Sequence, residues 1–154
     1  MTIRAWRIVK QKLARTAFSG EGARRHGGRW NHLGTAMVYV AGSMSLAILE
    51  MLVHMQVPDS LARYVVFEVT FPEALVQTLS LARLPRTWRQ SPASHAVRDL
   101  GDAWIAGAAS AVLRVPAVVP NEWNYLLDPQ HPDFRRIAIG PRHPIEFDAR
   151  LLRP

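Results

Sequence analysis

Apolar and polar positions alternate from Thr2 to Val9 with β-branched residues among them, which predicts an opening strand with Trp6 and Arg7 on opposite faces. Ala36 to Ala41 is a short apolar run of strand length that ends at Gly42. Ser43 or Ser45 then supplies an N-cap for a helix running to about His54. Ala62 to Thr70, rich in Val, Tyr and Phe and closed by Phe71-Pro72, is the strongest strand signal in the chain. The region from Phe71 to Arg89 is punctuated by proline and weakly patterned. His95 to Ala109 has helical spacing, with Val97, Leu100, Trp104 and Ile105 on one side and Ser94 as cap. Ala111–Val115, Trp123–Leu127, Ile137–Ile139 and Ile145–Phe147 complete the strand candidates. From Ser19 to Gly34 five glycines surround Arg24, Arg25 and Arg29, a composition that predicts a loop. Strands outnumber helices and do not alternate with long helices, so a doubly wound parallel sheet is excluded and a mixed α+β class is expected.

A length of 154 residues predicts one domain over 1–154, and 49% hydrophobic against 20% charged residues excludes a disordered chain. The absence of cysteine removes thiolate nucleophiles, Cys-based zinc sites and disulfides, and fits a cytoplasmic setting. No stretch reaches the ~18 apolar residues of a membrane span. The net charge of +7 is almost all arginine, since Lys10 and Lys12 are the only lysines. Arginine binds phosphate and carboxylate bidentately, so the charge points to an acidic partner: nucleic acid, a phosphorylated small molecule or an acidic protein segment.

Two places concentrate candidate chemistry. The helix Leu46–Val53 is apolar nearly all round and reads as buried over most of its surface, with Glu50 its single charge on a stripe shared with Leu46 and Val53. Such a carboxylate must pair with an arginine, line a polar cavity or face the one exposed groove of its helix. The loop Ser19–Asn31 offers Gly27-Gly28 amides for close approach to an anion, with Arg29 and Trp30 for phosphate pairing and stacking. It matches neither the dinucleotide fingerprint nor the P-loop. Glu50 and His54 lie one helical turn apart, but no further ligand pattern completes a metal site, so no metal is expected.

Several ordered blocks resemble the RES domain of bacterial toxin–antitoxin systems. They are Gly20–Arg25 with Gly28-Arg29-Trp30-Asn31, Val38–Ala41, Ala47–Glu50 with Val53-His54, Gly101–Trp104, Leu113–Pro116 and Asn124–Pro132. The resemblance spans nearly the whole chain. It implies a central, mainly antiparallel sheet similar to ADP-ribosyltransferases, a toxin that consumes NAD as substrate, and an Xre-like antitoxin partner through which any nucleic-acid contact would run. Glu50 matches the family glutamate, and Arg7 and Arg29 are both candidates for its arginine. Ala117 stands where many members carry a serine, with Ser91 and Ser94 as other candidates. In that reading Glu50 and Arg29 are catalytic, while Arg7, Gly28, Trp30 and Tyr39 bind NAD. The nicotinamide–ribose bond would be cleaved by hydrolysis or phosphorolysis. The alternatives are mono-ADP-ribosylation of a protein and a basic binding module without catalysis.

Overall fold

The long strands β1 (Thr2–Lys10) and β3 (Tyr64–Pro72) pair antiparallel along their full lengths, as their alternating β-branched and aromatic residues favour. The computed structural model describes residues 1–56 and 62–152. Around this pair the sheet is completed by β2 (Val38–Ala41), β4 (Val76–Thr78), β5 (Val112–Pro116), β6 (Trp123–Leu127), β7 (Ala138–Ile139) and β8 (His143–Ile145). Its order is β4-β5-β6-β2-β1-β3-β7, with β8 also on β3. Every neighbouring pair is antiparallel except β4 with β5.

Among the described residues three α-helices accompany the sheet: α1 (Glu21–His26), α2 (Met44–His54) and α3 (His95–Gly107). The serine caps are Ser43, whose side chain accepts from the Leu46 amide, and Ser94, which accepts from Val97. On one sheet face Ala5, Val38, Val40, Val69, Phe71, Tyr125 and Leu127 form a core. On the other, Leu113, Val115 and Leu126 pack with Trp30, Trp88, Val97 and Trp104, while Ile8 and Ala41 pack with Leu46 and Ala47 of α2. A 3-10 turn at Gln11–Thr16 covers Val9, Val65 and Phe67 through Ala14, with Ala17 beside it.

Three expectations are corrected. The glycine-rich stretch is not loop throughout. It contains α1, closed at each end by a glycine of positive φ (Gly20 at 75°, Gly27 at 70°) and held by Glu21, which takes hydrogen bonds from Arg24 and Arg25. Secondly, α2 is not buried over most of its surface. Leu46 and Ala47 are buried, but Leu49 is 44% and Val53 80% exposed, because only one stripe of the helix meets the sheet. Thirdly, the last strand lies at His143–Ile145, two residues earlier than the apolar pattern suggests. Phe147 falls outside it and packs edge-on against Tyr64.

Candidate functional site

β1 and β2 share a single register pair, Trp6 opposite Ala41, and then part. Arg7 sits at the parting. Its Nε donates to the Ala17 carbonyl at 2.7 Å and its Nη1 to the Tyr39 carbonyl at 2.8 Å, supplying that carbonyl with a hydrogen bond across the gap. Burial lowers the Arg7 guanidinium to about 10, still charged at neutral pH. A groove of about 160 Å³ opens beside the gap, lined by Trp6, Arg7, Tyr39, Glu50, His54 and Asn124 among others.

Glu50 enters this groove from α2, on the same stripe as Ala47, Met51 and His54. Val53, which the helical spacing places on the Glu50 stripe, is turned to solvent. Glu50 is half-buried, and Asn124 of β6 donates from Nδ2 to its Oε1 at 2.8 Å. That amide holds one carboxylate oxygen of a residue that lines the groove. Arg29 is partly desolvated, which lowers its pKa, and the Glu50 charge, within electrostatic reach, acts against that shift. Arg29 is anchored by Nη1, which donates to the carbonyls of Trp88 at 2.8 Å and Gln90 at 2.9 Å.

Tyr39 joins groove and loop. Its hydroxyl donates to Asn31 Oδ1 at 2.5 Å and accepts from the Trp30 amide at 3.1 Å, and burial pushes it well above the ordinary tyrosine range. Asn31 is wholly buried, and its Nδ2 faces the carbonyls of Ala23, His32 and Thr35. Next to it, His32 Nδ1 lies 2.8 Å from Asp102 Oδ2, and its Nε2 lies 3.0 Å from His95 Nδ1. Both partners belong to α3. The loop is thus clamped between the Tyr39 hydroxyl and one face of that helix.

The structure brings Glu50, Arg7 and Tyr39 to one groove, whereas Arg29 does not line it and reaches Glu50 only through its charge. It does not bring Trp30 or the Gly28 amide there. Trp30 is 2% exposed and tilts against Trp88 at 6.3 Å, because an indole of that size is better accommodated in the core than at a wet rim. The amides of Gly27 and Gly28 are taken by the carbonyls of Ala23 and Asn31 and offer no anion cradle. Gly28 is required for another reason: a Cβ there would lie 2.6 Å from the Tyr39 hydroxyl. Of the serine candidates, Ser94 caps α3, Ser91 is exposed, and Ala117 is buried beside Ala41 and Ala47. Sequence reasoning missed Asn124 as a site residue, and its place in the block Asn124–Pro132 was the one available signal. A larger cavity of about 280 Å³ between β4 and α3 is lined by Leu79, Leu100, Trp104, Leu113 and Arg83 among others and holds no carboxylate. Among the described residues no group of three or more His, Asp or Glu is placed to hold a metal ion.

The RES domain family model matches residues 4–148. The chain is 37% identical over 149 residues to "Toxin Res" of Yersinia enterocolitica, covering 95% of this chain and 97% of that protein. It is also 37% identical over 160 residues to the "Prs ADP-ribosylating toxin" of Sphingobium sp., covering 99% of each. Among solved structures, the M. tuberculosis MbcT–MbcA toxin–antitoxin complex contains a similar fold, with TM-score 0.76 and 21% identity over 94% of this chain and 85% of that one. With a family model spanning nearly its whole length and relatives alike from end to end, the chain belongs to the RES domain family.

Proposed function

We propose that this protein is the toxin of a toxin–antitoxin pair and that it consumes NAD by breaking the nicotinamide–ribose bond. The observation that carries the reading is the Glu50 carboxylate, fixed by Asn124 at the wall of a groove that Arg7 and Tyr39 also line. Cleavage of that bond leaves its electron pair on the nicotinamide nitrogen and builds positive charge on the ribose. A fixed carboxylate stabilises the charge or orients a ribose hydroxyl. Water then adds its oxygen to the ribose carbon and releases a proton, giving ADP-ribose, or inorganic phosphate adds in its place. Arg29, with two carbonyls holding one of its nitrogens, is oriented to pair with the diphosphate. Tyr39 presents a ring at the groove, suited to packing on the nicotinamide.

Transfer of ADP-ribose to a protein side chain uses the same first step and differs in the acceptor. The name of the Sphingobium relative favours carrying it as the second reading. The partner fits an Xre-like antitoxin with an acidic segment, given the +7 charge of this chain and the toxin–antitoxin complex that shares its fold. Among the described residues no helix is long and apolar enough to cross a membrane, and a cytoplasmic toxin meets NAD and its antitoxin in the same compartment.

The test is NAD concentration over time with purified protein, with and without phosphate, and product identification by mass. Nicotinamide release that disappears in Glu50→Gln, with the circular dichroism spectrum retained, supports the reading. Undiminished turnover in that variant removes Glu50 from the chemistry. No NAD loss without a protein acceptor, and label transfer with one, shifts the assignment to the second reading.

A further inference from the structure

Arg98 lies on α3 between His95 and Asp102, both of which bond His32, and one turn from Gly101, whose Cα packs against the Trp30 carbonyl. This stripe of α3 therefore presses on the segment Arg29–His32. Arg98 is half-buried, its Nε is shut off from solvent without a hydrogen-bond partner, and its guanidinium makes no hydrogen bond or ion pair among the described residues. Arginine in such a place is normally paired, since an unsatisfied buried donor is destabilising. The surrounding arginines are accounted for: Arg7 by the carbonyls of Ala17 and Tyr39, Arg24 and Arg25 by Glu21.

Resting on the NAD reading of the groove, we infer that Arg98 is, with Arg29, the second cation of an anion subsite that takes the diphosphate of the dinucleotide. The loop amides cannot fill this role because Gly27 and Gly28 donate within the loop. The charge of a diphosphate falls to side chains, and the guanidiniums of Arg29 and of the α3 stripe packed on its segment give it two planar forks. Both guanidinium charges lie within electrostatic reach of the Tyr39 hydroxyl.

Calorimetry with inorganic pyrophosphate and with NAD on the Glu50→Gln protein, with and without Arg98→Gln, tests this. Arg98→Gln is expected to weaken both ligands by about ten-fold or more, the scale of a lost charge-assisted contact. Arg98→Lys, which keeps the charge, is expected to recover part of the pyrophosphate affinity, and circular dichroism reports folding of both variants. Unchanged affinity for both ligands in folded Arg98→Gln overturns the assignment, and so does a loss in Arg98→Gln that Arg98→Lys does not recover at all. NAD turnover by the wild-type protein is scored separately. Turnover with unchanged affinity in Arg98→Gln rejects the subsite and leaves the proposed function standing. Pyrophosphate binding that depends on Arg98, in a protein that does not consume NAD, upholds the subsite and rejects the function.

Discussion

Asn124 acts on Glu50 alone among the described side chains, which makes it a positioning residue whose removal should separate orientation from binding. With the amide gone, the carboxylate is free to rotate away from the groove. Asn124→Ala is expected to lower kcat by about ten-fold to a hundred-fold with little change in KM, the signature of an interaction that matters more in the transition state than in the ground state. Steady-state kinetics on NAD checks it, and an equal rise in KM with kcat intact would mean that Asn124 binds substrate. Arg29 should behave in the opposite sense. Arg29→Ala is expected to raise KM for NAD by about ten-fold or more with a smaller effect on kcat, as the proposed pairing with the substrate phosphates requires. Unaltered KM in that variant would take Arg29 out of the binding site.

At the scale of the element, α3 contains two glycines with opposite consequences. A Cβ at Gly101 would fall 1.8 Å from the Trp30 carbonyl oxygen, a backbone atom that cannot swing aside, whereas a Cβ at Gly107 meets nothing within 4 Å. Gly101→Ala is expected to destabilise the protein by about 1–3 kcal/mol or more through overpacking, and Gly107→Ala to stabilise it by up to about 1 kcal/mol through helix propensity. Denaturant unfolding of the two variants decides both signs. In α1 the determinant is charge. Glu21 is lowered from the ordinary 4.5 to about 2, first by its hydrogen bond with Arg24 and then by Arg25. Because its folded value is the lower one, the contribution is present above pH 4.5 and is lost as pH falls toward 2. The amide signals of Glu21–His26 should therefore lose helical character across that window. In Glu21→Gln the same signals should be insensitive to it, and a transition of equal size in the variant would assign the effect elsewhere.

Across the whole molecule, the +7 charge is partly neutralised locally: Arg4 pairs with Glu68, Arg24 and Arg25 with Glu21, and Arg150 with Asp148. Two arginines of the loop that suggested a nucleic-acid module are thus committed to their own helix. The protein alone is expected to show no duplex-DNA affinity beyond the ~10⁻⁴–10⁻⁶ M of non-specific binding at physiological salt. Fluorescence anisotropy across a salt series measures this, and a nanomolar complex would revive the basic binding module.

What could be read along the chain is what neighbouring residues settle among themselves. Alternation in β1 and β3, the caps Ser43 and Ser94 and the apolar stripe of α3 are short-range properties, and the structure has each of them, although β3 runs on through Phe71 and Pro72, where the sequence pattern ends it, because both stay paired with β1. The order of blocks around Glu50 also lies in the sequence, and with it membership of the family. The parting of β1 from β2 is different, because the Tyr39 carbonyl meets Arg7 only once strands 32 residues apart in sequence lie side by side. So are the burial of Trp30, the use of the Gly27 and Gly28 amides within their own loop, and the meeting of Asn124 with Glu50 across 74 residues. Hydrogen-bond donors and buried volume are shared out among whatever tertiary contacts bring together, so periodicity located the helix that bears Glu50, and only packing decided which of its neighbours would hold the carboxylate.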